Sequence, residues 1–444
     1  MCGIAELLCD GGYRVSGSDL KDGPATKRLR SLGIEVSIGH AAANAQHADV
    51  VVYSSAVPPT NPEIRVAEER KIPVIPRAEM LAEVMRLKEG IAVGGSHGKT
   101  TTTSLIAHIL DCAGLDPTAV IGGRVLGSGA DPSGARLGRG DLMVAEADES
   151  DGSFLRLTPV IAVITNVDPE HLDHYGSFEA VQDAFVRFGN GVPFWGVAIV
   201  CVDHPGVQAI LPRLDRRVTG YGFSTQAALQ ATNIETESDG TRFGVRHKGE
   251  PLGEVRIRLI GKHNVANALA ALAVAFELEI SFATAAEALA SFVGIERRFE
   301  TKGVSRGVRV VDDYAHHPSE LMATLSSARA AHAGRIVAVF QPHRYTRTRD
   351  CFEEFTTAFN DCDVLIVTEI YAAGEDKIPG AEGRLLAEAI RAHGHRNAQF
   401  VADLDSIAKT LPSELRSGDL VLTLGAGSIS SLGPLLLEGL EGDE

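Results

Sequence analysis

Short apolar runs alternate with helical patterns along this 444-residue chain. Residues 91–93, 142–145 and 160–164 are continuous apolar runs, which is typical of strands that are buried on both faces. After the first run, apolar residues recur at helical spacing at Leu105, Ile106, Ile109 and Leu110. Strands that alternate with helices predict an α/β fold with a mostly parallel sheet.

The same alternation continues on both sides of these runs. Toward the N-terminus, the pattern predicts helices at 3–9, 25–32 and 78–87 and strands at 35–38, at 50–54 and up to Gly17-Ser18-Asp19. Toward the C-terminus, it predicts strands at 308–311, 336–340, 364–367 and 420–424. In between, the polar alternation of residues 228–260 and the Asp239-Gly240 turn signal predict antiparallel strands, followed by a helix at 264–277.

A glycine-rich loop separates the first central strand from its helix. Residues 94–101 read Gly-Gly-Ser-His-Gly-Lys-Thr-Thr. Glycines let backbone N–H groups approach phosphate oxygens, and a helix N-terminus adds partial positive charge. Lys99 can reach the terminal phosphates and Thr100 can ligate Mg²⁺. The strict GxxxxGK[ST] pattern is not met, because its first glycine falls on Val93, so an ordinary strand-to-helix turn is the alternative.

Acidic residues follow the next two strands. Residues 146–151 begin with Glu146 and contain four carboxylates, and residues 168–174 contain His171. The carboxyl ends of parallel strands gather ligand groups at one edge of a sheet, which places Lys99, Glu146 and His171 in one site. Like charges this close need cations, and Mg²⁺ on ATP is a natural one. A solvated acidic loop and a structural histidine are the alternatives.

The last third of the chain carries a basic segment after a strand. Residues 341–349 contain three arginines within six residues, and arginine recognises carboxylates or phosphates through paired hydrogen bonds. Residues 312–318 follow the preceding strand and contain two histidines. The glycine turn at 425–428 is either a phosphate contact or a plain turn. Residue types alone indicate an ATP-dependent enzyme with a second, carboxylate-bearing ligand.

Composition narrows the class of protein. The net charge is −16 and no long basic run occurs, which argues against a general nucleic-acid surface or anionic-membrane surface. The six cysteines are scattered without a CxxC motif, so we expect a reduced, cytoplasmic chain. No stretch approaches the ~18 apolar residues of a membrane span, and residues 1–10 lack the basic start of a signal peptide.

Taken together, these motifs resemble the Mur ligases of bacterial cell-wall synthesis. The matching stretches follow the family's order, and they are 3–8, 16–20, 77–85, 95–103, 146–154, 261–267, 297–299, 312–318, 340–350 and 425–429. The resemblance implies three domains: a UDP-sugar-binding Rossmann-like domain at 1–86, a central P-loop ATPase domain at 87–296 with a mostly parallel sheet, and a C-terminal Rossmann-like, amino-acid-binding domain at 297–444.

The resemblance also implies a reaction. In the branch that adds L-alanine, the lactyl carboxylate of UDP-N-acetylmuramate takes the γ-phosphoryl group of ATP, and the amine of L-alanine attacks the resulting acyl phosphate. This step belongs to peptidoglycan precursor synthesis and requires ATP and Mg²⁺. Several Mur ligases use a carbamylated lysine after the metal histidine, and the absence of lysine between Lys99 and Lys248 agrees with the L-alanine branch.

Site roles carry over position by position as implications of the resemblance. The implied catalytic residues are Lys99, Glu146, His171 and Arg298, and the implied metal ligands are Thr100, Glu146 and His171. The implied ATP contacts are Gly95, Ser96, His97, Gly98, Lys99, Thr100, Thr101, His263, Asn264, Asn267 and Asp313. The implied amino-acid pocket is Tyr314, His316, His343 and Arg347, with Arg347 taking the L-alanine carboxylate.

One departure from the family pattern bears on function. In the family, a strand and a G-x-G-G-x-G turn come before the position that matches Met1, and this sequence starts after them. We therefore expect an incomplete first domain and weak UDP-sugar binding. The alternatives are a murein tripeptide ligase, a phosphate-loop switch or kinase, and a degenerate nucleotide- or UDP-sugar-binding protein without activity.

Overall fold

The computed structural model describes residues 1–54, 57–123, 125–126 and 135–442. The chain separates into two compact units. The first contains residues 1–232, 244–255 and 266–292, and the second contains 233–243, 256–265 and 293–444. Within the described ranges, no helix is both long enough and apolar enough to cross a membrane.

The strands in the N-terminal part of the chain, before residue 86, form two small parallel sheets. Its strands are β1 (Ser16–Asp19), β2 (Glu35–Ile38), β3 (Val51–Tyr53) and β4 (Val74–Pro76). Its helices are α1 (Cys2–Asp10), α2 (Pro24–Ser31), α3 (Pro62–Glu69) and α4 (Arg77–Met85). β1 pairs only with β2, and β3 pairs only with β4, within the described residues. The predicted alternation is confirmed, and in the described part of this region the four strands form two separate sheets.

The central sheet is built around a strand that is buried at every residue except its first. Seven of its strands are β5 (Glu89–Gly94), β6 (Thr118–Val120), β7 (Ala135–Arg136), β8 (Leu142–Glu146), β9 (Ile161–Ile164), β10 (Val197–Cys201) and β11 (Val218–Gly222). These seven strands lie next to one another in the order β11-β10-β9-β5-β8-β6-β7, and among these seven only β7 runs antiparallel to its neighbour. The predicted mostly parallel sheet is confirmed. Both faces of β5 are covered, because Ala92 and Val93 have no exposed surface.

Helices pack against this sheet and continue the alternation. They are α5 (Lys99–Cys112), α6 (Leu172–Tyr175), α7 (Phe178–Asn190) and α8 (Pro205–Ile210). The apolar stripe of α5 is buried as the spacing predicted, with Leu105 and Leu110 fully covered. Phe185 and Phe188 of α7 join the core beneath β5 and β9, together with Ile164.

Three strands and two helices follow. They are β12 (Leu229–Glu237), β13 (Gly240–His247), β14 (Glu250–Ile257), α9 (Lys262–Glu277) and α10 (Phe282–Ser291). The strands are joined by two-residue turns at 238–239 and 248–249, so the predicted strands are confirmed. In the second turn Lys248 has a φ of 51° and Gly249 has a φ of 88°, the left-handed backbone that tight hairpin turns require.

The C-terminal part is a six-stranded, doubly wound sheet. Its strands are β15 (Glu300–Ser305), β16 (Val308–Asp313), β17 (Ile336–Phe340), β18 (Val364–Val367), β19 (Ala398–Phe400) and β20 (Leu420–Leu424). Its helices are α11 (Pro318–Ala331), α12 (Tyr345–Asp350), α13 (Phe352–Phe355), α14 (Gly383–Ala392), α15 (Leu404–Glu414) and α16 (Leu432–Gly442). The order is β15-β16-β20-β17-β18-β19, with β15 antiparallel. The central strands have apolar cores on both faces.

Candidate nucleotide and amino-acid sites

The glycine loop between β5 and α5 depends on glycine at two positions. Gly95 has a φ of 133°, and a Cβ there would lie 2.0 Å from the Thr165 hydroxyl. Gly98 has a φ of 81°, and a Cβ there would lie 2.6 Å from Oδ1 of Asn267. Both positions combine left-handed backbone with a crowded side-chain position, so any other residue would force the loop to move.

The loop is fastened to the end of β9. The N–H of His97 donates to Oδ1 of Asn166 at 2.7 Å, and the carbonyl of His97 accepts from Oγ1 of Thr165 at 2.6 Å. The N–H of Asp168 donates to Oγ of Ser96 at 2.9 Å. These contacts fix the loop before any ligand arrives. The sequence analysis missed Thr165, although the strand-end rule that singled out His171 applies equally to it.

Lys99 is enclosed by acceptors. Its Nζ donates to the carbonyls of Gly95 at 2.7 Å and Ser96 at 3.2 Å, and to both carboxylate oxygens of Glu149 at 2.9 Å. Burial lowers the pKa of Lys99, but the Glu149 carboxylate outweighs it, so the pKa is raised and the ammonium stays charged. Glu149 is only 2% exposed. Sequence reasoning placed it in the acidic segment but gave it no role.

Glu149 also links Lys99 to His171. Nε2 of His171 lies 3.7 Å from Oε1 of Glu149 and 3.8 Å from Oε2 of Glu170, and one potential ligand atom from each of the three residues lies within 4.8 Å of the others. The Tyr175 hydroxyl donates to the Glu149 carbonyl at 2.6 Å. Burial raises the pKa of Glu149 to about 7, although Lys99 opposes this. Two carboxylates and an imidazole are a donor set that fits a divalent cation.

The other two residues predicted to bind metal, Glu146 and Thr100, lie on β8 and α5. Glu146 ends β8, is paired in register with Val93 of β5, and its Oε1 accepts from the N–H of Gly122 at 2.8 Å. Thr100 lies in the first turn of α5, and its carbonyl accepts from Oγ of Ser104 at 2.8 Å. Thr101, the next loop residue predicted to bind ATP, is 6% exposed. Lys99 and His171 therefore follow β5 and β9, Glu146 ends the neighbouring strand β8, and Glu149 contacts both Lys99 and His171.

A second charged group surrounds His97. The Asp168 carboxylate lies 3.4 Å from Nε2 of His97 and 3.4 Å from Nε2 of His204, and His97 also lies 3.3 Å from Glu170. Burial alone would raise the pKa of Asp168, but the hydrogen bonds from His204 and His97 hold it well below its usual range. His204 follows β10, another strand of the same sheet, and was missed for want of a motif.

The residues predicted to contact adenine belong to different compact units. Asn267 belongs to the first unit, where its Oδ1 accepts from Oγ1 of Thr102 at 3.2 Å, next to Gly98. Asn264 belongs to the second unit, where its amide donates to the Ile260 carbonyl at 2.9 Å. His263 lies beside Gly261, with its Cε1 2.9 Å from the position of a Cβ there. One helix, α9, carries all three residues.

Asp313 is buried at the end of β16 and organises the backbone. Its carboxylate accepts from the N–H of Phe299 at 2.7 Å and of Ala315 at 2.8 Å. Burial raises the pKa of Asp313 to about 6, although Arg298 opposes this. The guanidinium of Arg298 lies 5.3 Å from the ring centroid of Tyr314. The carboxyl group thus joins the turn before β15 to the turn after β16.

The four predicted amino-acid residues come together in the C-terminal unit. The rings of Tyr314 and His316 lie 5.2 Å apart, and those of His316 and His343 lie 5.9 Å apart. Nη1 of Arg347 lies 3.2 Å from Nδ1 of His343. Burial lowers the pKa of His343 to about 4, helped by Arg347, and burial also lowers the pKa of His316. Both rings are therefore uncharged near neutral pH.

Tyr371 completes this cluster and was missed by the sequence analysis. Its ring is stacked on His343 with centroids 5.5 Å apart and planes 9° apart. It lies just beyond the carboxyl end of β18, between β17 and β19 in the sheet order. Applying the strand-end rule to every strand of this sheet would have found it.

The sheet, the glycine loop and Lys99 together define a structural class of protein. A parallel sheet whose central strand runs into a glycine loop, with a lysine at the start of the next helix, is the architecture of phosphate-binding α/β proteins. Protein-family models specify it further. The model for the Mur ligase family, catalytic domain, matches residues 1–89, the Mur ligase middle domain matches 93–275, and the Mur ligase, glutamate ligase domain, matches 297–427.

Individual relatives of this chain support the same family. A UDP-N-acetylmuramate–L-alanine ligase of Myxococcus xanthus is 56% identical over 99% of this chain and 92% of its own length. The crystal structure of UDP-N-acetylmuramate-alanine ligase from Thermotoga maritima is 28% identical with a TM-score of 0.82, covering 100% of this chain and 97% of that one. A murein peptide ligase from Psychrobacter arcticus is 26% identical with a TM-score of 0.69, covering 100% and 96%.

The chain belongs to the Mur ligase family. The family resemblance and the α/β fold class predicted from the sequence are therefore confirmed, and the likeness to the Thermotoga maritima enzyme agrees with the three-domain architecture.

Proposed function

We propose that this chain joins L-alanine to the lactyl carboxylate of UDP-N-acetylmuramate with consumption of ATP, in peptidoglycan precursor synthesis. It is an ATP-dependent, amide-forming ligase, because it belongs to the Mur ligase family along its length. The observation that carries the choice of substrates is 56% identity, over 99% of the chain, to a relative named for this reaction.

In this proposal the glycine loop binds the ATP phosphates. The loop residues with this role are Gly95, Ser96, His97, Gly98, Lys99, Thr100 and Thr101. The backbone of the loop is already fixed by Thr165 and Asn166, so little ordering is needed when the nucleotide arrives. Lys99 would exchange its contact with Glu149 for a phosphate oxygen, because both are anionic oxygens within reach of one ammonium.

Magnesium is proposed to bind beside the loop through Thr100, Glu146 and His171. The grouping of Glu149, Glu170 and His171 within 4.8 Å supports a cation at this edge of the sheet. When bound, the cation would neutralise charge on the transferred phosphoryl group. The protein side chains would hold the phosphates in line with the attacking carboxylate, and positioning of this kind supplies most of the catalysis in phosphoryl transfer.

Arg298, Asp313, His263, Asn264 and Asn267 are proposed to contact the nucleotide. Arg298 would act on the phosphates, Asp313 on the ribose, and the α9 residues on the adenine. In the present structure Asp313 accepts two backbone N–H groups, which would set the direction of the chain on either side of it. A role at the ribose would therefore add to this structural one.

L-Alanine is proposed to bind at Tyr314, His316, His343 and Arg347. Arg347 is half-buried, and its polar contacts, both at 3.2 Å, are Nδ1 and the carbonyl of His343. Both acceptors are uncharged, and within the described part of the chain no carboxylate forms an ion pair with Arg347. Its charge is available for the carboxylate of an amino acid.

The chemical steps follow from these placements. A carboxylate oxygen of UDP-N-acetylmuramate attacks the γ-phosphorus, ADP leaves, and an acyl phosphate forms. The amine of L-alanine then attacks the acyl carbon, the C–O bond to phosphate breaks, the nitrogen gives up a proton to the departing phosphate or to water, and the amide and inorganic phosphate are released. Lys99 stabilises charge in the first step, and Arg347 positions the nucleophile in the second.

We propose that each of the three domains expected from the sequence binds one substrate. Residues 1–86 would bind UDP-N-acetylmuramate, 87–296 would bind ATP, and 297–444 would bind L-alanine. We propose a cytoplasmic site of action, since all six cysteines are free thiols, as expected in a reducing compartment.

A murein peptide ligase is the second candidate, because one such protein is similar in fold with a TM-score of 0.69. It would take a peptide in place of L-alanine. Release of ADP from ATP, Mg²⁺ and UDP-N-acetylmuramate distinguishes the possibilities, when measured alone, with L-alanine, and with L-alanyl-γ-D-glutamyl-meso-diaminopimelate.

We expect ADP release only with L-alanine. Release only with the tripeptide would indicate the murein peptide ligase. Release without any amino acid would indicate a phosphate-loop switch or kinase, and no release under any condition would indicate a degenerate binding protein.

A further inference from the structure

We propose that Tyr371 is a positioning residue for the amino-acid carboxylate: it fixes the ring of His343, and His343 holds the guanidinium of Arg347. This inference rests on the proposed function, which assigns the carboxylate to Arg347. It adds a residue that no sequence motif singled out and that acts on Arg347 through His343.

The first link is the ring stack. The planes of Tyr371 and His343 are 9° from parallel, at a centroid distance of 5.5 Å. Offset-stacked rings at this distance attract each other. The second neighbour of His343, the ring of His316, meets it at 68° and 5.9 Å. His343 is therefore held by one ring in a parallel stack and by another edge to face, which leaves its side chain little freedom to rotate.

The second link is the restraint on Tyr371 itself. Its N–H donates to the Pro342 carbonyl at 2.8 Å, and its carbonyl accepts from the N–H of Arg344 at 2.9 Å, so its backbone pairs with the residues on either side of His343. Gly427 also lies close to this residue, because a Cβ at Gly427 would be 2.7 Å from Cγ of Tyr371. The glycine turn after β20 thus makes room for the root of the tyrosine ring.

The third link joins His343 to Arg347. Nη1 of Arg347 lies 3.2 Å from both Nδ1 and the carbonyl of His343. An arginine donates and cannot accept, so Nδ1 must be the unprotonated nitrogen of a neutral ring. Such a contact holds only while the ring keeps its orientation, and the stacked tyrosine preserves that orientation.

Together these links predict what removal of the ring would do. Without Tyr371 the His343 ring gains rotational freedom, Arg347 loses a fixed acceptor, and the guanidinium adopts several orientations. Ordering it again would then fall to the incoming amino acid. Binding of L-alanine weakens, while the nucleotide loop in the other unit is unchanged.

Three variants of Tyr371 distinguish the effect of ring stacking from the effect of side-chain volume. Tyr371→Ala removes the ring, Tyr371→Leu keeps apolar bulk without a planar face, and Tyr371→Phe keeps the face. We expect Tyr371→Ala to raise KM for L-alanine about three- to tenfold, in line with the loss of one aromatic pair. KM for ATP should stay within twofold. Tyr371→Phe should match the wild type, and Tyr371→Leu should resemble Tyr371→Ala.

A direct readout of His343 accompanies the kinetics. The ¹⁵N NMR signals of the ring, identified by their loss in His343→Gln, should show an unprotonated Nδ1 and a single environment in the wild type and Tyr371→Phe. They should broaden or move toward an exchanging pair of tautomers in Tyr371→Ala. Thermal unfolding midpoints of all variants confirm that the chain is folded.

The outcomes are distinct. An unchanged KM for L-alanine and an unchanged His343 signal in folded Tyr371→Ala would refute the inference, as would a Tyr371→Phe variant as impaired as Tyr371→Ala. If the wild type showed no turnover dependent on L-alanine, the proposed function would fail. The His343 spectra would still decide whether Tyr371 fixes the ring.

Discussion

The glycine loop and the proposed amino-acid pocket each contain a cation to which we assign an anionic ligand, but the charge of that cation is balanced in different ways. Lys99 is bound at 2.9 Å by both oxygens of the buried Glu149 carboxylate. Arg347 is held by a neutral imidazole and a carbonyl, and within the described residues it has no carboxylate partner. In the proposed function the loop therefore exchanges one anion for another, whereas the pocket receives an anion directly.

This difference has consequences for selectivity. Exchange of Glu149 for a phosphate is favourable only for a ligand with enough negative charge, or with a cation to take over the carboxylate. A weakly charged monocarboxylate such as an amino acid gains little at such a site. It can bind where the arginine is preorganised and not already neutralised. Each cation thus suits the ligand assigned to it.

The largest effect is expected from removing the cation of the loop. Lys99→Met should lower kcat for ADP formation by roughly 10²–10³-fold, because charge on the transferred phosphoryl group would lose a preorganised partner. KM for L-alanine should change little. Lys409→Ala, at an exposed position on α15, is the matched control and should behave as the wild type. A Lys99→Met variant with more than a tenth of wild-type kcat would contradict the role assigned to the loop.

The pocket should respond differently to loss of its cation. Arg347→Met should raise KM for L-alanine roughly 10–100-fold, the size of a lost charge-assisted hydrogen bond, and leave KM for ATP unchanged. Arg349→Met is the control, because Arg349 is exposed and pairs with Asp350 at 2.7 Å. If both variants had equal KM values for L-alanine, Arg347 would not be the carboxylate partner.

Exchange at the loop can be tested by neutralising Glu149. Glu149→Gln removes the anion that competes for Lys99, so ADP should bind roughly three- to tenfold more tightly in the absence of divalent metal. Mg²⁺ should strengthen ADP binding by a smaller factor in Glu149→Gln than in the wild type, because the variant lacks the carboxylate that would bind the cation after leaving Lys99. Isothermal titration with and without EDTA measures both quantities, and Asp173→Asn, an exposed acid on α6, is the control. Weaker metal-free binding by Glu149→Gln would argue against the exchange.

The smallest effect is expected from lowering the pH, which changes the contribution of His343 to folding stability. The folded-state pKa of His343 is lowered to about 4 from an ordinary value near 6.5, so the native state binds fewer protons than the unfolded chain between those values. The His343 contribution to stability is therefore complete above pH 6.5 and is lost as the pH falls toward 4. Its ¹⁵N signals should not change between pH 8 and 6. A midpoint near 6.5 would place His343 outside the buried pocket described here.

The comparison also shows what the sequence could reveal. The loop was found because its geometry demands glycine at Gly95 and Gly98, and that demand is visible as a motif. The four predicted pocket residues were found through the family resemblance, and the structure brings them together. Their roles in binding remain predictions, as do the divisions at residues 86 and 296.

Contacts between distant segments were not predictable from local pattern. Glu149 was one acid among four in its segment, and only the fold shows that it faces Lys99. Tyr371 has no motif and acts through a stack with a residue 28 positions earlier. The edge strands β15 and β19 were missed for a different reason. β15 has mostly polar residues and β19 has three residues, so neither gives a hydrophobic signal.

Transfer of oxygen from substrate to phosphate tests the proposed ligase most directly. UDP-N-acetylmuramate labelled with ¹⁸O in its lactyl carboxylate is incubated with ATP, Mg²⁺ and L-alanine, and the inorganic phosphate is analysed by mass. We predict one ¹⁸O atom in the phosphate for each amide formed, because the carboxylate oxygen attacks phosphorus and leaves with it. Phosphate without ¹⁸O, or phosphate released equally without L-alanine, would contradict the account.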